Sequence, residues 1–505
     1  MNLNSLNRLS LVNERIIALI QDNLMVKSRP TSTIASLFSN VSKDVSLTRE
    51  DNLFDLAAKG SVEARDTLIN LIIRLLSSEV PVKVSEIDTI LAGYYINYYG
   101  TSEDISLEKD SLLVSFLNRV LISRDSDYDT KIRKLAQVIY QECWGYGVLD
   151  EFRYMGVDKK TFKKVEEIQI NGPRQLGLKV SGLNFKLERM FYPEIEVEKV
   201  TKKLSRNTIR GLTSSHPVVE SDLVDGSRVN LTCPPLSAYY SYNLRLHYSS
   251  SLTSEDEVGI GSSSAEVEAF FDLVMQCRPR MMVVGGQSVG KTTTIVNLCK
   301  RYPTSTTIVT AETSFELELD KIKHLLVQKL RLGVLGTEEF LRSLFRFNAQ
   351  LLVMGEARDS HDAMLTTQVA KRQEFGTINT WHSGTAEEAI QDFANALVRG
   401  GYFKTGREAL VEVCTSMDLV LVKRIADKGS KFSGLRHYYQ ICEVPKLKLD
   451  DGRPLEMNVL FEFDYESGKI KQVNKLSEEM LTIFNQRAHN PGLIEVLRSG
   501  NYCIN

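Results

Sequence analysis

Met281–Thr294, MMVVGGQSVGKTTT, is the stretch whose reading decides the fold. Four apolar residues without a polar interruption read as a strand buried on both faces. They run into Gly285, Gly286, Gln287, Ser288, Val289, Gly290, Lys291, Thr292 and Thr293, and the following KTTTIVNLCKRY has helical spacing. Glycines at both ends of such a loop let backbone N–H groups turn inward on a phosphate. The lysine reaches the β and γ phosphates, and the threonine hydroxyl faces Mg²⁺. Strand, loop and helix in this order make a P-loop, which alone does not separate ATPase, GTPase and kinase. A nucleoside triphosphate is expected, ATP once guanine recognition is ruled out, with Mg²⁺ and with Thr292 as the metal's ligand.

Working outward, strands and helices alternate: AEVEAFFDLVMQC (helix) before the loop, then STTIVTAE (strand), TEEFLRSLFRF (helix), AQLLVMGE (strand), AMLTTQVAKRQ (helix) and GTINTWH (strand). That alternation predicts a largely parallel sheet covered by helices. Three strands end in Glu312, Glu356 and His382, all at the edge that carries the P-loop. One carboxylate can orient or deprotonate water while another helps hold the hydrated metal. A histidine there can hydrogen-bond the γ phosphate and report its loss. The Asn-Lys-x-Asp of guanine recognition is missing, since Asn474-Lys475 is followed by Leu476 and Ser477. This argues against a GTPase.

The 505 residues carry 62 basic and 64 acidic side chains, a net charge of -2, and 43% hydrophobic residues, the profile of a multidomain globular protein. No polyanion track is apparent, so direct nucleic-acid binding is not expected. Cys143, Cys233, Cys277, Cys299, Cys414, Cys442 and Cys503 form no Cys-x-x-Cys pair, which points to reduced thiols in a cytosol. The first residues lack an uninterrupted apolar core, and TLINLIIRLLSS is broken by Asn70 and Arg74; neither reads as a secretion signal or a membrane span.

Five segments follow. Residues 1–145 read as a helical N-terminal extension, from LVNERIIALI, LINLIIRLL and TKIRKLAQVIYQEC; the cluster YYINYYG within it reads as core packing. Residues 146–248 read as a mixed α/β domain, with EEIQINGP as a strand and DLVDGSRVNLTCPP as a strand pair hinged on Asp225-Gly226. Residues 249–263, rich in Ser, Gly and acid, read as an interdomain linker and hinge. Residues 264–463 are the ATPase domain, and 464–505 a C-terminal tail.

The succession GGQSVGKTTT, TAETSFEL, LLVMGEARD, GTINTWHSGTAEEAI resembles the traffic ATPases of type II and type IV secretion systems and their pilus-assembly relatives. WGYGVLDEF, EEIQINGP, VVESDLVDGSRVNLTCPPLS and NLRLHY are similar to the Flp/Tad pilus and conjugation-type branch. The resemblance covers about residues 131–463. It implies an α/β fold, a RecA-like P-loop NTPase motor domain preceded by a mixed α/β N-terminal domain. It further implies that Lys291 and Thr292 serve phosphate and Mg²⁺, and that Glu312 and Glu356 are the catalytic acids of the Asp box and Walker B strand. His382 would be the His-box residue, and Arg228 and Arg245 arginines extended to the terminal phosphate. A guanidinium can fork onto phosphate oxygens and neutralise transition-state charge.

Three departures stand out. Thr313 follows Glu312 where the family has a second acid, Ala349-Gln350 replaces Pro-Asp, and Arg372-Gln373-Glu374 replaces Thr-Gly-His before the His-box strand. The resemblance implies a homohexamer, cytoplasmic and peripheral to the inner face of the cell membrane through platform or secretion-channel proteins. The contrasting expectation is an ATP-binding scaffold or regulator with little hydrolysis.

Overall fold

The computed structural model describes residues 11–18, 53–78, 82–99, 125–147, 149–155, 164–173, 175–187, 194–205, 208, 211–247, 252–427, 430–450 and 452–502. The chain divides into two compact units, Met1–His247 and Tyr248–Asn505.

In the first unit, helix Val62–Ser78 buries Ala64, Leu68, Ile72, Leu75 and Leu76, residues at three- and four-residue spacing that form one stripe. The stripe packs on helix Tyr128–Cys143, which starts at Asp127, whose carboxylate accepts from the Thr130 N–H at 2.8 Å. Tyr94 of the aromatic cluster is buried in helix Val84–Tyr99 and donates to Gln141 Oε1 at 3.2 Å; the remaining aromatic side chains of that cluster lie outside the described residues.

Six strands follow: β1 (Val165–Asn171), β2 (Leu176–Val180), β3 (Leu183–Leu187), β4 (Val218–Asp222), β5 (Arg228–Thr232) and β6 (Ser241–Arg245). They pair antiparallel in the order β3-β2-β1-β6-β5-β4. Helices and sheet belong to one unit, so the expected boundary at residue 145 is not a structural one. Arg153 pairs with Asp225 in the β4–β5 turn at 2.6 Å, and the Tyr146 hydroxyl donates to the Ala58 carbonyl at 2.7 Å. Both contacts are largely shielded from water, which strengthens them.

The second unit is a nine-stranded sheet of β7 (Met281–Val284), β8 (Thr307–Glu312), β9 (Leu326–Arg331), β10 (Leu351–Met354), β11 (Thr377–Trp381), β12 (Leu419–Ile425), β13 (Arg436–Glu443), β14 (Asn458–Asp464) and β15 (Lys469–Gln472). The order is β15-β14-β13-β12-β7-β11-β10-β8-β9. From β12 to β9 all neighbours are parallel, and from β12 to β15 they are antiparallel. Met281 and Val283 face one apolar layer, Met282 and Val284 the other, as the two-residue period of a doubly covered strand requires. β11, the His382 strand, is inserted between the P-loop strand and β10, the RecA-like arrangement.

Two expected boundaries shift. Residues 252–263 are not a free linker: Thr253 caps helix Ser254–Gly259 with a capping box, and Glu257 is buried. Residues 464–502 are not an appended tail, because β15 completes the sheet and Met480, Leu481, Phe484, Leu493, Ile494 and Leu497 fill the core beneath it. Asp418 ties this end down. Its buried carboxylate pairs with Arg487 at 2.5 Å and Lys446 at 2.9 Å, and accepts from the Arg280 N–H at 2.8 Å. Burial opposes the charge, but the two cations and these hydrogen bonds hold its pKa far below the usual carboxylate range.

Candidate active site

The P-loop hangs between β7 and helix Lys291–Cys299. Gly285 has φ +146°, and a Cβ there would fall 2.4 Å from the Lys423 carbonyl oxygen of β12. No other residue fits at that position. Gly290 (φ +95°) and Ser288 (φ +59°) are also left-handed, turning successive N–H groups into a concave anion nest. Arg436 of β13 braces the non-glycine turn by donating from Nε to the Ser288 carbonyl at 2.6 Å. Lys291 Nζ lies 2.9 and 2.8 Å from the carbonyls of Gly285 and Gly286, at the mouth of the loop. Thr292, half-buried, is the second residue of the helix. A glycine-shaped cradle with an ammonium at its mouth fits a nucleoside polyphosphate. Among the described residues no cluster of three or more His, Cys, Asp or Glu could hold a metal; the Thr292 hydroxyl is an oxygen donor of the kind that Mg²⁺ takes beside phosphate.

The ends of β8, β10 and β11 are knitted together beside this loop. The Gly355 N–H donates to the Ala311 carbonyl at 3.0 Å, Thr380 Oγ1 to the Gly355 carbonyl at 2.8 Å, and the Ala357 N–H to the Thr380 carbonyl at 3.2 Å. Glu356 and His382 thereby leave adjacent strand ends, with His382 Nε2 2.9 Å from Glu356 Oε1. Arg358 Nη2 donates to Glu356 Oε2 at 2.5 Å. Burial favours the neutral acid, yet the hydrogen bonds from His382 and Arg358 outweigh it and hold the Glu356 carboxyl down to about 2. Reciprocally, the bond to Glu356 raises the Arg358 pKa.

Glu312 ends β8 at the expected sheet edge but turns inward. It is buried, Oε1 accepts from Thr310 Oγ1 at 2.7 Å, and Oε2 accepts from the N–H groups of Glu316 and Leu317 at 2.8 and 3.0 Å. Its carboxylate therefore shapes the 313–317 loop, where buried N–H groups need an acceptor. The half-buried acid of that loop is Glu316, whose charge reaches Arg358. The sequence reading passed over Glu316, Arg358 and Arg436. Arg358 had a signal, because residues two apart past a strand end share a side with Glu356; Arg436 had none.

Arg228 and Arg245, in the first unit, are direct cross-strand partners on β5 and β6. Carboxylates flank them in the same cross-strand row, Glu167 opposite Arg245 and Asp222 opposite Arg228, so opposite charges offset the two like ones.

Thr313 follows β8 at the carboxyl edge, while the other two substituted stretches sit at the opposite end of their strands. Gln350 precedes β10 and Glu374 precedes β11, roughly 13 Å from the carboxyl edge at the usual strand rise. They bond each other, Gln350 Nε2 to Glu374 Oε2 at 3.1 Å, while Glu374 Oε1 pairs with Arg278 at 2.8 Å. Phe375 stacks on Tyr302 with centroids 5.4 Å apart and carries the Arg278 guanidinium 4.6 Å above its ring. The turn that seats β11 has its own complementary set of contacts.

Among the described residues, no helix is long and apolar enough to cross a membrane. Comparison with known proteins places a family model described as type II/IV secretion system protein on residues 183–447. An uncharacterized protein of Methanocaldococcus jannaschii is 24% identical over 341 residues, 64% of this chain and 58% of that protein; the chain thus spans little more than half of that relative. VirB11 of Agrobacterium tumefaciens is 24% identical over 293 residues, 51% of this chain and 84% of VirB11. The crystal structure of the Brucella suis VirB11 ATPase in complex with sulphate aligns at 18% identity over 55% of this chain and 89% of that one, with a TM-score of 0.31. With the family model spanning more than half of its residues, and with the P-loop, Glu356 and His382 set on one sheet edge, the chain belongs to the type II/IV secretion system protein family.

Proposed function

We propose that the protein is a Mg²⁺-dependent ATP hydrolase that works as a homohexameric ring and drives a membrane-bound secretion, conjugation or pilus-assembly machine from the cytoplasmic face. The observation that carries the chemistry is the Glu356–His382 pair, 2.9 Å apart beside the P-loop. The N–H groups of residues 285–292 and the Lys291 ammonium bind the β and γ phosphates, and Thr292 offers its hydroxyl to Mg²⁺. When bound, Mg²⁺ neutralises charge shared by the two phosphates.

Glu356 orients the attacking water and takes its proton. His382, bonded to Glu356, senses the γ phosphate and passes its loss to the carboxylate. Arg228 and Arg245 neutralise charge on the terminal phosphate. Glu316 takes the place of Glu312 as the second acid in this scheme, since Glu312 is buried and already accepts from Thr310 of β8 and from two N–H groups of the following loop. The type II/IV secretion system family model on residues 183–447 supports the machine; ring size, cytoplasmic location and platform partners rest on the resemblance to that family.

One observation favours the contrasting reading, a nucleotide-binding scaffold with little turnover. Both Glu356 oxygens accept hydrogen bonds, from His382 and Arg358, and the carboxyl is held down to about 2, which makes it a weak base toward water. Phosphate release by the purified protein decides between the two, with Lys291→Ala and Glu356→Gln as controls. The hydrolase reading is lost if wild type releases no more phosphate than the variants, even with membranes and ring-forming concentrations present.

A further inference from the structure

Beneath the P-loop lies a buried ion pair that the proposed chemistry does not use. Glu257 comes from helix Ser254–Gly259, with which the second unit begins. Its Oε1 lies 3.3 Å from Lys423 Nζ and its Oε2 accepts from Asn297 Nδ2 at 2.8 Å. Both side chains are almost sealed from water, at 4% and 1% exposure. The Lys423 ammonium also sits 3.9 Å from the centre of the Tyr438 ring.

Each member of this group touches the phosphate loop or its helix. Asn297 belongs to helix Lys291–Cys299, which the loop opens. Lys423 supplies the carbonyl that fills the space where a Gly285 Cβ would be, and its Cε lies 3.9 Å from the corresponding position at Gly290. Tyr438 reaches the same helix, its hydroxyl 3.4 Å from Thr294 Oγ1. The Glu257 carbonyl accepts from the N–H groups of Ser262 and Ser263, so the segment is folded around the carboxylate's own residue.

Charges this deep are tolerated only as a pair, because removing one leaves the other without solvent or counter-ion. Displacing Glu257 would therefore strand the Lys423 ammonium directly under the loop. We propose that Glu257 and Lys423 are positioning residues of the phosphate loop, coupling the first helix of the motor unit to nucleotide affinity. This rests on reading residues 285–292 as the ATP site, and the test separates the two.

Two measurements on the full-length protein are needed. The first is amide hydrogen exchange at residues 285–290 without nucleotide; the second is the dissociation constant for ATP by calorimetry. Lys423→Met and Glu257→Gln should each speed exchange in the loop and weaken ATP binding roughly tenfold, within the usual range of coupling between sites. The double variant should be no worse than the single ones, since both break one pair. Lys446→Met, which breaks the Asp418 pair elsewhere in the unit, should lower thermal stability yet leave both readings unchanged.

Faster exchange in a protein whose wild type binds no ATP would uphold the coupling and sink the ATP-site reading. Unchanged exchange and affinity in folded Lys423→Met or Glu257→Gln would overturn the proposal. So would an equal effect from Lys446→Met. If Lys423→Met does not fold, Glu257→Gln, which retains an oxygen for Asn297, carries the test.

Discussion

His382 Nε2 stands 2.9 Å from Oε1 of Glu356, across the gap between two parallel strand ends. The distance is a product of the sheet: Thr380 Oγ1 bonds the Gly355 carbonyl, so the residues that follow each strand are held side by side. Replacing Glu356 by Gln preserves this geometry and removes the charge. Expected outcome: ATP still binds, and phosphate release falls by about 100-fold or more, the usual contribution of a positioned base. Steady-state phosphate release beside ATP calorimetry checks it.

The same carboxylate makes stability depend on pH. Its folded pKa, about 2, is below the ordinary 4.5, so its contribution is present above the unfolded value and is lost as pH falls through the folded one. Urea midpoints of wild type and Glu356→Gln should differ at neutral pH, with the difference shrinking as pH falls from about 4.5 toward about 2. A constant difference across that window would mean that His382 and Arg358 do not hold the charge in solution.

Glu312 and Glu316 should separate by phenotype. Glu312→Ala strands the buried N–H group of Leu317 and should destabilise the protein by about 1–3 kcal/mol. Glu316→Gln should instead lower phosphate release with little change in melting temperature. Calorimetric unfolding and turnover of both variants decide it, and the reverse pattern would restore Glu312 as the acting acid.

Asp418→Asn should be among the most damaging changes away from the site. It leaves the half-buried Lys446 and Arg487 cations without their carboxylate, a loss of about 3 kcal/mol, the lower end for breaking a buried pair. Chemical denaturation measures it, and the C-terminal helices 478–488 and 491–499 should become protease-sensitive in the same variant.

Glu374→Gln should matter little. Its pair with Arg278 is partly exposed and lies at the sheet edge away from Glu356, so turnover should be unchanged and stability altered by less than about 1 kcal/mol. A large fall in turnover would show that the substituted turn before β11 governs His382 after all.

Much of the motor unit was legible in its residues, because buried parallel strands are apolar runs and a phosphate loop needs glycine at fixed places. MMVV, LLVM and TINTW announce their strands in this way. β9 and the β12–β15 half of the sheet were not read, and neither were helix Ser254–Gly259 as a packed element nor the closing role of residues 464–502. Their amphipathic faces acquire meaning only from the layer they cover.

What the sequence determined by itself is the chemistry on offer: a P-loop, two candidate acids and a histidine, each at the end of a strand. Tertiary structure decided which groups meet. It set Glu356 against His382 and Arg358, turned Glu312 inward to brace its loop, and paired Gln350 with Glu374 at the far edge. The physical reason is strand order. Inserting β11 between β7 and β10 joins residues distant in the chain, and a period of two residues cannot say which neighbour a strand will have.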